Sequence, residues 1–311
     1  KILLFGGDRL REAGPCSILA DFLKKNKIEY LIITDKGHFK KKISNNETFG
    51  TRLIKQKHNF IVEKKIQKKN IQNFINKKTL GLSINSIWKF NKQVIKLFNG
   101  NLYNYHAADL PTERGAGNIS WRILMNKNKN ISINIHAVDR NFDTGNIVSQ
   151  NKLKINKFRY NPIDHLKEIK NVENKLLKKF VLDYIKNKKF MKRKQNNKKG
   201  YYWPRLKSDK DGKINWSWSS LDIISFIRAF SHPYNGAFSF ISGKKIRIFK
   251  AIFKKSKYKF HPFQNGIIFR VEKDKIYIAS GKNEIIIDRK YTKNFNKDLK
   301  SYLGKRFIDE K

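Results

Sequence analysis

The 311-residue chain carries 69 Lys and Arg against 25 Asp and Glu, a formal charge of +44, and is 39% hydrophobic and 13% aromatic. That apolar content excludes a disordered chain, and the length suits two domains better than one core. No apolar run approaches the roughly 18 residues of a membrane-spanning helix, and the lone Cys16 excludes an internal disulfide and fits a reducing, cytoplasmic compartment.

In chain order, residues 2–5 form a short apolar run that ends in Gly6-Gly7-Asp8, the outline of a buried strand and a tight turn. No basic leader precedes that run, so no secretion signal is expected. Pro15 suits the first turn of a helix, and Ile18, Leu19, Phe22 and Leu23 follow at helical spacing. Tyr30–Thr34, Asn59–Val62, Leu80–Asn85 and 101–106 read as further strands with helical stretches between them. Such alternation predicts an α/β fold with a Rossmann-like, doubly wound, mostly parallel sheet. The Gly-Gly turn lacks the G-x-G-x-x-G spacing of a dinucleotide site, so NAD is not expected.

Arg114-Gly-Ala-Gly-Asn118 is too rich in glycine for a helix or strand and reads as a loop feeding a helix near Asn118 or Ser120. Ile131–Val138 and 146–153 suggest paired strands joined by the Asp139–Gly145 loop, and 162–187 a long amphipathic helix. Residues 188–200 are mostly Lys, Arg and Asn and read as an exposed basic linker. The expected organisation is therefore a catalytic domain over 1–187, a linker over 188–200 and a second domain over 201–311. In that second domain a helix over 219–230 precedes short strand-like runs at 236–241, 244–252, 266–272, 275–280 and 284–288, the pattern of a small, OB-like β-barrel.

The surplus charge has two readings. Lysines are scattered, from Lys24-Lys25 through Lys40–Lys42 to Lys254-Lys255, and far outnumber arginines. This fits compositional drift better than a nucleic-acid face, where arginine forks concentrate. Either way an anionic ligand is attracted.

The candidate chemistry lies at the end of the 101–106 strand. Asn104 and His106 share one face by alternation, next to Asp109-Leu-Pro111, at the carboxyl edge where open α/β sheets hold ligands. An amide N–H can support an oxyanion, an imidazole can move a proton, and Asp143 can orient that imidazole. No serine or cysteine nearby reads as a nucleophile, so the trio suits direct acyl transfer to an amine. Neither a His pair nor a Cys cluster predicts a metal, and His136 reads as packing or support within its strand.

Asn104-Tyr-His106, Leu110-Pro111, Arg114-Gly115, Trp121, Ile133–Asp139 and Asp143-Thr-Gly145, in this order and spacing, resemble the 10-formyltetrahydrofolate-dependent formyltransferase family. The resemblance implies that Asn104, His106 and Asp143 are catalytic and that 10-formyltetrahydrofolate is the co-substrate, with no metal. It implies that the pterin lies against Ser83, Ile84, Asn85 and Trp88 and against Val138 and Asp139. It also implies an acceptor pocket near Gly6, Gly7, Asp8, Arg114, Gly115 and Trp121.

Tyr202-Trp-Pro-Arg205, Asp211-Gly-Lys-Ile-Asn-Trp216 and His232-Pro-Tyr-Asn-Gly-Ala-Phe238 are similar to the second domain of methionyl-tRNA and nucleotide-sugar formyltransferases. The last motif looks closer to the sugar enzymes, including the formyltransferase domain of the bifunctional enzyme that modifies lipid A with 4-amino-arabinose. Thr34–Lys42 lacks the Arg-Pro-x-Gly-Arg-Gly loop of the tRNA enzymes. The expected acceptor is a dTDP- or UDP-linked amino sugar for a surface polysaccharide such as lipopolysaccharide, with initiator methionyl-tRNA as the alternative. Pairing of two chains as a homodimer stays open.

Overall fold

The computed structural model describes residues 1–8, 14–44, 46–125, 130–154 and 161–308. They form two compact units: Lys1–Gly115 with Asn130–Ile155 and Glu168–Trp203, and Ala116–Lys129 with Asn156–Lys167 and Pro204–Lys311. This division differs from the expected one at several places, two of which bear on the site. Residues 188–200 belong to the first unit, and the segment after Gly115 belongs to the second.

In the first unit, strands β1 (Ile2–Gly6), β2 (Tyr30–Thr34), β3 (Phe60–Val62), β4 (Leu80–Ile84) and β5 (Leu102–His106) run parallel. A two-residue strand β6 (Arg114–Gly115) follows, then β7 (Asn130–Ala137) and β8 (Ile147–Lys154), which add to the β5 edge as an antiparallel pair. The order of this seven-stranded sheet is β3-β2-β1-β4-β5-β7-β8. Every residue of β1, β2 and β4 is buried, as expected for a sheet covered on both faces. Burying each Leu, Ile or Phe there contributes about 1.5–3 kcal/mol. Helices α1 (Pro15–Lys25), α2 (Lys36–Phe39), α3 (Phe49–Lys55), α4 (Lys68–Ile71) and α5 (Lys92–Leu97) lie between the parallel strands in sequence. Phe5, Phe90 and Phe98 meet edge to face at 5.2 and 5.9 Å between ring centres.

Helix α6 (Asn118–Leu124) belongs to the second unit, and the long helix α7 (Pro162–Ile185) runs through the division. Phe180 on α7 packs edge to face on Tyr103 at 5.2 Å and stacks on Phe190 at 4.6 Å. Beyond it, β9 (Tyr202–Trp203) pairs in parallel with β6. A strand so short carries no periodicity, so this pairing has no signature in the sequence.

The second unit is β-rich. After α8 (Ser208–Asp211) and α9 (Ser220–Ala229) come β10 (Ala237–Ile241), β11 (Lys244–Ile248), β12 (Ile252–Lys255), β13 (Ile268–Glu272), β14 (Lys275–Ser280), β15 (Asn283–Asp288) and β16 (Thr292–Lys293). They form a three-stranded sheet, β10-β11-β16, and a four-stranded antiparallel sheet, β12-β15-β14-β13. The run expected as one strand over 244–252 is thus two strands in different sheets. Ser219 caps α9 by accepting from the Asp222 N–H. Ile223, Ile227 and Phe230 then present one face to a core that also holds Trp216, Ile246, Ile278, Ile285 and Phe307. Ile123 of α6 joins this core, and Ser120 Oγ donates to Ala229 O at 2.8 Å.

Candidate active site

The register of the sheet assembles the site. Phe5 pairs with Ser83, Ser83 with Asn104, and Asn104 with His136. Directly opposed residues share a face, so Asn104 and His136 project together, and His106 opposes Asn134 one step along. A register shift in the β7–β8 ladder falls between Ile135 and His136, and such irregularities re-aim the side chains beside them.

Asp143 comes to this face from the loop between β7 and β8. Its backbone has φ +56°, in the left-handed region, at a cost of about 1 kcal/mol for a residue with a side chain. Its Oδ1 accepts from Asn104 Nδ2 at 3.2 Å and lies 3.3 Å from His136 Nε2. Its Oδ2 accepts the Gly115 N–H at 2.8 Å and lies 3.6 Å from His106 Nδ1. Burial pushes this carboxyl up, but the two imidazoles and the Gly115 N–H outweigh burial and hold it well below the usual carboxylate range. The group is a carboxylate throughout the neutral range.

His106 is buried, and its Nε2 lies 2.7 Å from Glu113 O. A carbonyl can only accept, so Nε2 carries the hydrogen and Nδ1 is the ring nitrogen turned to Asp143. Asn104 Nδ2 also lies 3.2 Å from His136 Nε2. Both contacts of that amide are long, which suits donors that are exchanged for a ligand oxygen. The structure therefore brings Asn104, His106 and Asp143 together and adds His136. No short motif marks His136 in the sequence. Its register opposite Asn104 becomes visible only once β5 and β7 are paired.

Of the residues expected around the folate, Ser83 and Ile84 are buried in β4. Asn85 has φ +57° and donates to Gly7 O at 3.3 Å. Trp88 and Val138 pack on the same apolar cluster, and Lys89 Nζ lies 5.2 Å over the Phe142 ring. The 84–89 and 138–143 segments thus come together through Trp88, Val138, Lys89 and Phe142. Asp139 accepts from Thr144 Oγ1 and the Asn141 N–H and ties its own loop.

The residues expected around the acceptor fare differently. Gly6 has φ +116°, and a Cβ there would meet Ile84 O at 2.2 Å, so the turn demands glycine. Asp8 is fully buried and accepts the Cys16 and Ser17 N–H groups at 2.9 and 3.0 Å. It places a negative charge on the N-terminus of α1, a structural use the sequence reading missed. Arg114 is buried too, its guanidinium donating to Gln195 Oε1 and Asn197 Oδ1. These bonds within the protein fix the position of its guanidinium. Gly115 contributes its N–H to Asp143. Trp121 lies in the second unit, where its Nε1 donates to Pro204 O at 2.8 Å. Among the described residues no group of three or more His, Cys, Asp and Glu side chains could hold a metal ion, and no helix is long and apolar enough to cross a membrane.

With this geometry in view, comparison with known proteins is direct. Residues 19–181 match the formyl transferase family model and residues 207–299 the model of the formyl transferase C-terminal domain. The chain belongs to the formyltransferase family. It is 30% identical over 197 residues to a methionyl-tRNA formyltransferase of Alkaliphilus oremlandii, covering 63% of this chain and 61% of that protein. It is 31% identical over 179 residues to the bifunctional polymyxin resistance protein ArnA of Wigglesworthia glossinidia brevipalpis, covering 54% of this chain and 25% of that protein. The chain thus spans less than two thirds of either relative. Among solved structures, WlaRD, a sugar 3N-formyltransferase crystallised with dTDP and 5-N-formyl-THF, superposes with a TM-score of 0.67 at 21% identity, covering 95% of this chain and 98% of that one. The N-formyltransferase of Helicobacter canadensis, in complex with folinic acid and dTDP-3-aminofucose, gives 0.66 at 20% identity, covering 93% and 98%.

Proposed function

We propose that this protein transfers a formyl group from 10-formyltetrahydrofolate to the amine of a nucleotide-linked amino sugar. The observation that carries the transfer chemistry is the convergence of Asn104, His106 and Asp143 at the carboxyl end of β5, within 3.2–3.6 Å of one another through Asp143. When bound, the folate supplies an activated formyl group. The acceptor nitrogen attacks the formyl carbon, and the carbonyl electrons move onto oxygen. Asn104 Nδ2 and protonated His106 Nδ1 donate to that oxyanion. Collapse breaks the bond from the formyl carbon to the folate nitrogen, which takes up the proton the amine gives up. Asp143, anionic at neutral pH, orients His106 and holds a water through which that proton passes.

Two features support a sugar acceptor. The Thr34–Lys42 region, which lacks the arginine-rich tRNA loop, folds into the four-residue helix α2, capped by Asp35 and anchored by buried His38. Two of the solved structures similar over almost the whole chain carry dTDP or a dTDP-sugar. The second reading, methionyl-tRNA, is favoured by the name of the Alkaliphilus relative and by the exposed Lys40–Lys42 run, since phosphate contacts need only charge. The product would be a formamido sugar for a surface polysaccharide, made in the cytoplasm.

The test supplies purified protein with 10-formyltetrahydrofolate and either a panel of dTDP- and UDP-amino sugars or methionyl-tRNA, and follows tetrahydrofolate release. Turnover with an amino sugar, lost in His106→Ala, is the expected result. Turnover with the tRNA alone would overturn the acceptor, and none with any amine would overturn the activity.

A further inference from the structure

Gln195 stands in the basic run Lys192-Arg-Lys-Gln-Asn-Asn-Lys-Lys199, yet it alone of these is buried. Its side chain uses all the hydrogen-bonding capacity of an amide. Nε2 donates to Asp143 O at 2.9 Å and to Gly145 O at 2.7 Å, while Oε1 accepts from Arg114 Nε at 3.2 Å and Nη2 at 2.9 Å. The amide's orientation follows from chemistry, because a guanidinium can only donate and a carbonyl can only accept. Both carbonyls belong to the loop that carries Asp143 in its left-handed conformation. The same Arg114-Gly115 dipeptide that anchors Oε1 also supplies the N–H to Asp143 Oδ2. Arg114 is itself steadied by Asn197 at 2.7 Å and by the pairing of β6 with β9.

We propose that Gln195 is a positioning residue for formyl transfer, locking the Asp143 loop so that its carboxylate stays in reach of Asn104, His106 and His136. It touches no reacting atom and acts only through Asp143. The role rests on the activity proposed above. Gln195 also lines a cavity of about 760 Å³ with Asp109, Ser132, Gln150 and Arg193, so water can reach the loop carbonyls once the amide is gone. The fold then survives the loss better than the geometry of the carboxylate does.

Two substitutions separate the contacts. Gln195→Leu removes all four, whereas Gln195→Glu keeps the acceptor for Arg114 and removes the donors to the loop. With the acceptor and folate that the wild type turns over, both variants are expected to lower kcat about tenfold or more while either KM changes less than about threefold. In an Asp143→Asn background the same substitutions should cost less than about twofold, because residues acting as one unit are not additive. Penalties that multiply in that background, or a loss confined to KM, would overturn the proposal. Amide hydrogen exchange reports independently of turnover. The Gly115 N–H, held by Asp143 Oδ2, should exchange about tenfold faster in both variants while the β5 amides keep their protection. Unchanged protection at Gly115 would overturn the clamp, and faster exchange in β5 as well would mark a general loosening and overturn it too. A wild type that turns over no amine would refute the activity alone, leaving exchange at Gly115 to decide the clamp.

Discussion

Asp143 lies between two imidazoles: one carboxylate oxygen is 3.3 Å from His136 Nε2 and the other 3.6 Å from His106 Nδ1. The rings stand 6.2 Å apart, nearly perpendicular. His136 also reaches Asn104, so one side chain borders both the carboxylate and the amide of the trio. His136→Phe keeps a planar ring in β7 and deletes these contacts. We expect it to lower kcat about 10- to 100-fold, the range for an outer partner of a reacting group, with the thermal midpoint little changed. Steady-state kinetics and a melting curve on the same preparation check this.

Asn104→Ala deletes the amide proposed to donate to the oxyanion without disturbing the strand, because β5 is held by backbone pairing on both sides. The expected loss is about 10²–10³ in kcat with little change in either KM. An equal loss in folate affinity, measured by equilibrium binding of a non-reactive folate, would show that the amide serves binding instead.

The depressed pKa of Asp143 makes stability depend on acid. A carboxyl whose folded pKa lies below its unfolded value of about 4 contributes stability that is present above that pH. The contribution is lost as pH falls through the folded pKa. The wild type should therefore be more stable than Asp143→Asn at neutral pH, and the difference should shrink steadily below about pH 4. Urea midpoints for both proteins between pH 2 and 7 read this directly; a difference that does not shrink in acid would show that the carboxylate's charge is not what stabilises the loop.

At the opposite end of β2, Tyr30 OH lies 2.6 Å from His58 Nδ1, and His58 Nε2 lies 3.0 Å from Asp21 Oδ1. Burial, with a smaller push from Asp21, raises the Tyr30 hydroxyl to about 12. A raised pKa gives stability that is complete below the unfolded value and lost as pH climbs through the folded one, so this window opens near pH 10 and closes near 12. Tyr30→Phe should cost about 1–3 kcal/mol at neutral pH by leaving a buried imidazole nitrogen without its partner. It should also flatten the alkaline loss of stability. Denaturation series at pH 7 and 11 distinguish the two effects.

The sequence carried the parallel sheet because β1, β2 and β4 are short, mostly apolar runs between turn residues, and it carried Asn104 and His106 because alternation along one strand is enough to place both. What it did not carry depends on long-range pairing. Asp8 and Arg114 read as ligand-facing since nothing local distinguishes a polar side chain turned to solvent from one turned to a helix end or an amide. Gln195 was hidden in the opposite sense: one buried amide among exposed lysines and asparagines does not alter the composition of a linker. The 244–252 run shows the same limit, because its apolar residues continue past Ile248 while the hydrogen bonding passes from one sheet to another.

The parallel pairing of Arg114–Gly115 with Tyr202–Trp203 bears on where this polypeptide can be cut. A fragment ending at residue 187 would look like a whole catalytic half by its strands and helices. It would nevertheless lack the amide behind Asp143 and the strand beside Gly115, and would be a poorer catalyst for reasons unconnected with its acceptor. Lys192, Arg193 and Lys194 are exposed, so a single tryptic nick there would sever the same support. Any fragment meant to report on the chemistry of the first unit should extend through Trp203.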